Sequence, residues 1–195
     1  MHRPIAVLVE GSKISLSVDG VHLCQANHQV IENQVAFFMQ STKMVSISNI
    51  VTKSATPNAF VVMQFKEEYN EFFREVIKPT CEKHGLEVIR ADDMYTSGLI
   101  IQDIIQSLEE SSLVIAEITP DNPNVYYELG YAHGIKKPTI LLCDSSREKL
   151  PFDISGIRTI FYDNKISGKS QVEERLSKHL EYLGFQQSSG GNASL

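Results

Sequence analysis

Apolar and polar positions along residues 58–184 follow two periods, one typical of strands and one typical of helices. Short apolar runs rich in β-branched residues predict buried strands, and apolar residues at helical spacing between them predict helices with one buried face. The predicted strands are 59–65, 86–90, 113–118, 138–143 and 158–162, and the predicted helices are 68–84, 97–110, one beginning at Val125, and a last one ending at Gly184. Regular alternation of this kind predicts a parallel five-stranded sheet with helices on both faces.

Residues 1–57 have a different pattern and are predicted to be an extension of this α/β domain. Short β-prone pieces at 5–9, 14–18 and 21–23 are joined by turns, and Asp19-Gly20 between apolar residues is a strong hairpin signal. Helices are predicted at 30–39 and 46–51. Strands followed by two helices resemble the start of a winged-helix DNA-binding unit, but a wing and a basic recognition face are missing. We therefore favour an additional layer or an oligomerisation arm.

Composition and charge exclude several classes of protein. The 195 residues are 42% hydrophobic and 22% charged, as in an average globular protein, and the net charge of -6 argues against a broad grip on nucleic acid. The three cysteines are too scattered for a disulfide framework or a CxxC metal site. No apolar run approaches the ~20 residues of a membrane span, and the N-terminus lacks the layout of a signal peptide. We expect a cytoplasmic protein without membrane or nucleic-acid partners, and residues 185–195 are predicted to be a flexible tail.

The third predicted strand and the helix after it carry the strongest chemical signal. Turn residues at 119–123 separate the two, and Asn124 is the predicted N-cap. Glu128 falls inside the apolar stripe of the helix, where a first-turn carboxylate would face the sheet. A first-turn acid can simply balance the helix dipole, but the sheet-facing side is the wrong one for that role. For a strand order of 2-1-3-4-5, this helix also begins at the switch point where open α/β sheets bind ligands.

Motifs for the commonest cofactor chemistries are missing. No Gly-x-Gly-x-x-Gly follows a strand, no Walker motif or Gly-x-Ser-x-Gly elbow is present, and the histidines lack metal-ligand spacing. We therefore expect no metal and no cofactor. What remains are carboxylates near the carboxyl ends of the strands, and pairs of carboxylates suit glycosidic bond cleavage. These candidates are Asp92, Asp93, Asp103, Glu117, Asp121 and Glu128.

Several of these candidates also have simpler interpretations. Ser97-Gly98 at a helix N-terminus offers amide N–H groups for a phosphate, but Ser97 can equally be an ordinary helix cap. Asp92 can be a solvated loop residue, and Asp103 can be a surface residue. The aromatic side chains of the Glu128 helix, Tyr127 and Tyr131, can stack on a base or can simply pack.

The segment Asn122-Pro123-Asn124-Val125-Tyr126-Tyr127-Glu128-Leu129-Gly130-Tyr131-Ala132-His133 resembles the nucleoside 2-deoxyribosyltransferase-like proteins. Residues 59–63 with Phe65, the Ser97-Gly98 turn and Asp103 also fit, and the likeness covers residues 58–184. That family has a flavodoxin-like sheet and a distant kinship with TIR-domain NAD hydrolases. The resemblance implies that Glu128 is a nucleophile that attacks C1′ of the ribosyl group and that Asp103 assists at the base.

The resemblance implies binding roles as well. Asn124 stands near a position where the transferases carry an aspartate that contacts sugar hydroxyls, and Ser97-Gly98 fits the phosphate-binding turn of relatives that cleave nucleoside monophosphates. The sequence departs from the family at Gln64, where relatives often have proline, and at Glu117, where many have aspartate. The predicted substrate-binding residues are Phe65, Asp92, Ser97, Gly98, Glu117 and Asn124.

The sequence therefore predicts an N-glycosidase or N-ribosyltransferase that cleaves the base–sugar bond of a nucleoside, nucleotide or NAD-like small molecule. The alternative is a non-catalytic nucleotide sensor or interaction module that uses the same pocket. Because the resembling enzymes commonly complete their pocket from a neighbouring subunit, the resemblance also implies a homo-oligomer.

Overall fold

The computed structural model describes residues 3–10, 13–27, 42, 48–51, 56–91, 100–163 and 166–187. The predicted helix at 30–39 and the predicted site residues Asp92, Ser97 and Gly98 lie outside these ranges, as does the end of the tail. Of the short helix predicted at 46–51, residues 48–51 are described, and they have no regular secondary structure. The described residues form a five-stranded parallel sheet and a separate three-stranded antiparallel sheet.

The parallel sheet has the predicted strand order. Its strands are β4 (Asn58–Val62), β5 (Glu87–Arg90), β6 (Leu113–Glu117), β7 (Thr139–Asp144) and β8 (Thr159–Tyr162), arranged β5-β4-β6-β7-β8. Every neighbouring pair is parallel. The chain moves from β4 to β5 on one side and then crosses to β6 on the other. The switch point therefore lies between the carboxyl ends of β4 and β6.

Helices cover both faces of this sheet. They are α1 (Glu67–Phe72), α2 (Lys78–Lys83), α3 (Ile100–Glu110), α4 (Pro123–Gly134) and α5 (Ile166–Tyr182). Buried residues of α1, α2 and α5 pack on one face of the sheet, and buried residues of α3 and α4 pack on the other. The predicted α/β fold is confirmed. Within the described ranges, no helix is long and apolar enough to cross a membrane.

The helix predicted at 68–84 contains a wider turn than expected. A π-helical turn, Phe73–Ile77, joins α1 to α2 and ends two residues before Pro79. Proline has no N–H to donate to the carbonyl four residues earlier. The wider turn lets the N–H of Lys78 donate to the carbonyl of Phe73, one residue further back than in an α-helix. Gly85, with φ +71°, follows the C-cap His84 and ends the helix.

Strand β6 is buried on both faces, which decides where its side chains point. Leu113 and Ile115 belong to the core under α1, α2 and α5, and Val114 and Ala116 belong to the core under α3 and α4. Since successive side chains of a strand alternate, Glu117 points to the same face as Leu113 and Ile115.

The N-terminal sheet contains β1 (Ile5–Glu10), β2 (Lys13–Val18) and β3 (Val21–Asn27) in that spatial order. Asp19 and Gly20, with φ of 54° and 77°, form the tight turn between β2 and β3, so the predicted hairpin is confirmed.

Candidate functional site

Helix α4 begins two residues earlier than the sequence predicts. Asn122, not Asn124, is the N-cap, and its side-chain oxygen accepts a hydrogen bond of 2.9 Å from the backbone N–H of Asn124. Pro123 occupies the first helical position, where its missing N–H costs nothing. Glu128 consequently lies in the second turn, where the helix dipole gives a carboxylate less stabilisation.

Glu128 is half-buried, and the described residues provide no hydrogen bond or ion pair to its carboxylate. Its neighbours on the same face, Val125, Leu129 and Ala132, are buried against the sheet. Burial alone raises the pKa of Glu128 to about 7. The sequence expectation that this carboxylate faces inward is therefore correct, and the carboxylate remains available to a ligand.

Glu128 lines a pocket of about 390 Å3 at the switch point of the sheet. Small-molecule sites are typically ~300–1,000 Å3 in volume. The volume of this pocket falls within that range and is suitable for a ligand of nucleoside size. Glu128 is the one carboxylate among the described lining residues. The lining comprises Val61, Met63, Gln64, Phe65, Ala91, Ile101, Ile104, Asn122, Asn124, Val125, Tyr127 and Glu128.

Phe65 and Asn124, which the sequence predicts as binding residues, both line the pocket with Glu128. Phe65 is exposed, and the guanidinium carbon of Arg90 lies 5.5 Å from the centroid of its ring. The same guanidinium lies 4.6 Å from the centroid of the Phe73 ring. Arg90 thus gives the exposed Phe65 ring a buried cationic neighbour.

Asp103 is not among the residues that line the pocket. Ile101 and Ile104, which the sequence assigns to packing, line it from α3 instead. Successive residues of an α-helix are rotated by about 100° around its axis. At this spacing, Asp103 projects in a direction well over about 90° away from the midpoint between Ile101 and Ile104. The structure therefore does not bring the predicted proton-handling partner into the pocket with Glu128.

Two amide side chains, Gln64 and Asn122, line the pocket without having been predicted as binding residues. Both follow strands that border the switch point. The position of Asn122 could have been inferred from Pro123, because proline favours the first helical position. The residue before it is then the N-cap, and its side chain lies at the N-terminus of the helix.

Glu117, which the sequence predicts as a binding residue, is not among the described residues that line the pocket. Its side chain is fully buried. One carboxyl oxygen accepts hydrogen bonds from the backbone N–H of Thr119 (3.1 Å), the Thr119 hydroxyl and the Tyr162 hydroxyl (3.0 Å). The other oxygen is buried without a partner in the described part of the chain. Burial raises the pKa of Glu117 to about 7, and the bonds from Thr119 and Tyr162 oppose this shift.

Arg147 holds the loop between β6 and α4 from its outer side. Its guanidinium donates to the backbone carbonyls of Ile118 and Thr119 and to the side chains of Tyr126 and Asp121. The Tyr126 hydroxyl also donates to Asp121 over 2.9 Å. The hydrogen bonds from Tyr126 and Arg147 lower the pKa of Asp121. The loop that leads to the pocket is therefore fixed from two sides, by Glu117 inside and by Arg147 outside.

The two tyrosines of α4 have different surroundings. The Tyr131 hydroxyl donates to Glu109 of α3 over 2.6 Å, which ties the two helices together. Tyr127 is exposed and lines the pocket. Of the two, Tyr127 is the residue whose ring a ligand can reach.

Comparison with known proteins identifies the fold. No family model matches the chain, and no curated protein matches it. Solved structures do match. The fold is that of TIR domains and of an N-glycosidase.

The TIR domain of the Toll-related receptor TRR-2 from Hydra magnipapillata matches with a TM-score of 0.52 and 14% identity, over 65% of this chain and 99% of that one. The CMP N-glycosidase BcmB of Clostridium botulinum matches with a TM-score of 0.51 and 21% identity, over 63% of this chain and 99% of that one. At these identities the likeness supports the flavodoxin-like α/β fold. Membership of the nucleoside 2-deoxyribosyltransferase-like family stays a prediction from the sequence.

Proposed function

We propose that this protein cleaves the N-glycosidic bond of a nucleoside, nucleotide or NAD-like substrate, with Glu128 as the nucleophile. The observation that carries the proposal is the half-buried carboxyl of Glu128, which has no hydrogen-bond or ion-pair partner among the described residues and lines a pocket of about 390 Å3 at the switch point of the sheet. A neighbour with the same fold is an N-glycosidase that acts on CMP, so the fold can support this class of reaction.

In the proposed reaction an ionised Glu128 oxygen attacks C1′ of the sugar. The bond between C1′ and the base nitrogen breaks, the base leaves with the electron pair, and a glycosyl ester forms on Glu128. Water or a second base then attacks C1′ and releases the carboxylate. With a pKa of about 7, a substantial fraction of Glu128 is ionised at neutral pH, and no cation in the described part of the chain neutralises it.

The other pocket residues supply recognition in this proposal. The amides of Gln64, Asn122 and Asn124 can donate to and accept from sugar hydroxyls or the edge of a base. The exposed rings of Phe65 and Tyr127 offer apolar faces on which a base can stack. Because Asp103 does not line the pocket, we assign no proton transfer to it, and Glu128 carries the proposal alone.

The test is to incubate the purified protein with nucleosides, nucleoside monophosphates and NAD and to follow free base by chromatography. The matched control is Glu128→Gln, which keeps the size of the side chain but lacks an ionisable oxygen. Base release by the wild-type protein that is lost in this variant is the expected result. Equal release by both proteins would show that Glu128 is not the nucleophile.

A non-catalytic nucleotide sensor is the second candidate. The observation that favours it is the absence of a second carboxylate from the described lining, because glycosidases usually pair a nucleophile with an acid for the leaving group. Titration calorimetry with the same panel separates the two candidates. Tight binding of a nucleotide without base release would favour the sensor and would make residues 1–57 the natural output element.

A further inference from the structure

The segment from the end of β6 to the second turn of α4 carries much of the polar lining of the Glu128 pocket. Among the described lining residues, it supplies the carboxylate of Glu128 and two amide side chains, those of Asn122 and Asn124. Residues 118–122 of this segment belong to no helix or strand. The position of the two amides in the pocket therefore depends on what holds this loop.

Arg147 contacts the same segment at several points with one planar group. Its Nη1 atom donates hydrogen bonds to the backbone carbonyls of Ile118 and Thr119. The same atom donates to the hydroxyl of Tyr126 over 2.9 Å, and Nη2 donates to the carboxylate of Asp121. The guanidinium therefore joins the end of β6 to the first turn of α4.

Asn122 lies between two of these contacts. Asp121 directly precedes it, and the backbone N–H of Tyr126 donates to the carbonyl of Asn122 over 3.1 Å. Asn122 lines the pocket, whereas Asp121, Tyr126 and Arg147 are not among the described lining residues. Arg147 thus holds the residues on either side of Asn122 and leaves the Asn122 side chain to the pocket.

The guanidinium is itself held in place by the loop that follows β7. Its Nε atom donates to the carbonyl of Lys149 over 3.0 Å, and the backbone N–H of Arg147 donates to the carbonyl of Asp144 over 3.1 Å. The Arg147 side chain is only 9% exposed. A planar guanidinium with fixed N–H directions defines the positions of its acceptors more closely than a flexible ammonium does. Arg147 is therefore a rigid link between the end of β7 and the loop before α4.

We propose that Arg147 is a positioning residue of the Glu128 pocket, which sets the loop before α4 so that Asn122 and Asn124 meet the ligand beside Glu128. This inference rests on the proposed function, because it concerns the ligand of that pocket. Arg147 acts on the ligand only through the loop. A group that affects recognition alone changes the binding of substrate and transition state equally, so its loss raises KM and leaves kcat unchanged.

Steady-state kinetics of base release test this assignment with Arg147→Ala. We expect KM to rise at least about tenfold, because the amides are no longer held in the binding geometry. The value of kcat should stay within about threefold of the wild-type value, because Glu128 is untouched. Arg175→Ala is the matched control, since Arg175 also donates to a backbone carbonyl, that of Phe161, but does so from α5. Its KM should equal that of the wild-type protein.

Chemical rescue separates positioning from a general loss of structure. Arg147 and Asp121 border an open cavity of about 650 Å3, so a free guanidinium ion can reach the space that Arg147→Ala leaves. Guanidinium at millimolar concentration, far below the molar range that unfolds proteins, should lower the KM of this variant. Methylammonium has the same charge without the planar fork and should lower it less. Neither ion should change the KM of the wild-type protein.

The outcomes distinguish this inference from the proposed function. A wild-type protein that neither binds nor cleaves any compound of the panel would overturn the proposed function, and this inference with it. An active wild-type protein whose KM is unchanged in Arg147→Ala would overturn this inference alone. A rise in KM that guanidinium does not reverse would also overturn it, because the substitution would then disturb more than the guanidinium contacts. If a nucleotide binds without base release, its dissociation constant replaces KM in the same measurements.

Arg147→Lys decides the question if far-UV circular dichroism shows that Arg147→Ala does not fold. It keeps a positive charge beside Asp121, but an ammonium cannot donate to the same set of acceptors in one plane. We expect its KM to rise at least about threefold with kcat unchanged. A KM equal to that of the wild-type protein would show that the guanidinium does not position the pocket.

Discussion

Glu117 and Glu128 are the same chemical group in consecutive elements of the chain, yet the structure uses them in opposite ways. Burial raises the pKa of each to about 7. Glu117 is fully buried and accepts hydrogen bonds from Thr119 and Tyr162. Glu128 faces a pocket and has no partner among the described residues.

The difference shows that a raised pKa reports desolvation and does not by itself report function. A fully buried carboxyl that is held by hydrogen bonds from its own protein is not accessible to a substrate. A carboxyl that is desolvated but still accessible can do so, and such groups are the usual candidates for catalytic residues. The two glutamates therefore provide matched positions at which removal of the carboxyl should affect different properties.

The largest expected difference is in activity. Glu128→Gln should reduce base release at least about a thousandfold, because an amide cannot form the glycosyl ester. Glu117→Gln should stay within about tenfold of the wild-type rate, because its amide oxygen can still accept from Thr119 and Tyr162. Initial rates on the best substrate of the panel check both values. Similar losses in the two variants would mean that Glu128 has no special chemical role.

Stability should respond in the reverse order. Glu117→Ala leaves a cavity and removes the acceptor of the Thr119 N–H, and we expect it to lower the free energy of unfolding by about 3–5 kcal/mol. Glu128→Ala removes a half-buried side chain that has no partner among the described residues, and it should change that free energy by less than about 1 kcal/mol. Urea unfolding followed by far-UV circular dichroism measures both, since the chain has no tryptophan.

A loss of stability in Glu128→Ala as large as that in Glu117→Ala would contradict this comparison. It would mean that Glu128 makes a structural contact beyond those of the described residues.

The contrast between the two residues also marks what could be predicted from the sequence. The inward position of Glu128 follows from helical periodicity, because it falls within the stripe that contains Val125, Leu129 and Ala132. The parallel sheet and its helix-covered faces follow from the strand–helix alternation, and the structure confirms both.

The face of Glu117 could not be predicted in the same way. Strand β6 is apolar on both sides, as central strands of parallel sheets are, so its pattern does not show which side meets which helices. The sequence prediction of Asn124 as the N-cap is wrong for a similar reason. Asn122 and Asn124 are both good caps by residue type, and only the preference of Pro123 for the first helical position separates them.

The pH dependence of stability should separate the two glutamates by a smaller amount. A carboxyl with a raised folded-state pKa stabilises the protein below its unfolded pKa, and this stabilisation is lost as pH rises toward the folded pKa. For Glu117 the window runs from 4.5 to about 7, and the loss is of the order of 3 kcal/mol. The urea concentration at the midpoint of unfolding should fall across this pH window in the wild-type protein. In Glu117→Gln it should depend less on pH.

Glu128→Gln is the matched control for this titration. Glu128 is partly solvated, so its removal should flatten the same curve by less than the Glu117 variant does. If the curve of Glu117→Gln keeps the wild-type slope, the buried carboxyl is already ionised in the folded protein.

The smallest expected effect concerns the outer side of the loop that Glu117 holds from inside. Tyr126→Phe removes a hydroxyl that donates to Asp121 and accepts from Arg147, and we expect a cost of about 1 kcal/mol in urea unfolding. The pKa of Asp121 should rise toward its ordinary value at the same time, which a carboxyl NMR titration can follow. A cost as large as that of Glu117→Ala would mean that Arg147 and Tyr126, on the outside, are the main support of the loop. Glu117 would then contribute less to holding the loop than Arg147 and Tyr126 do.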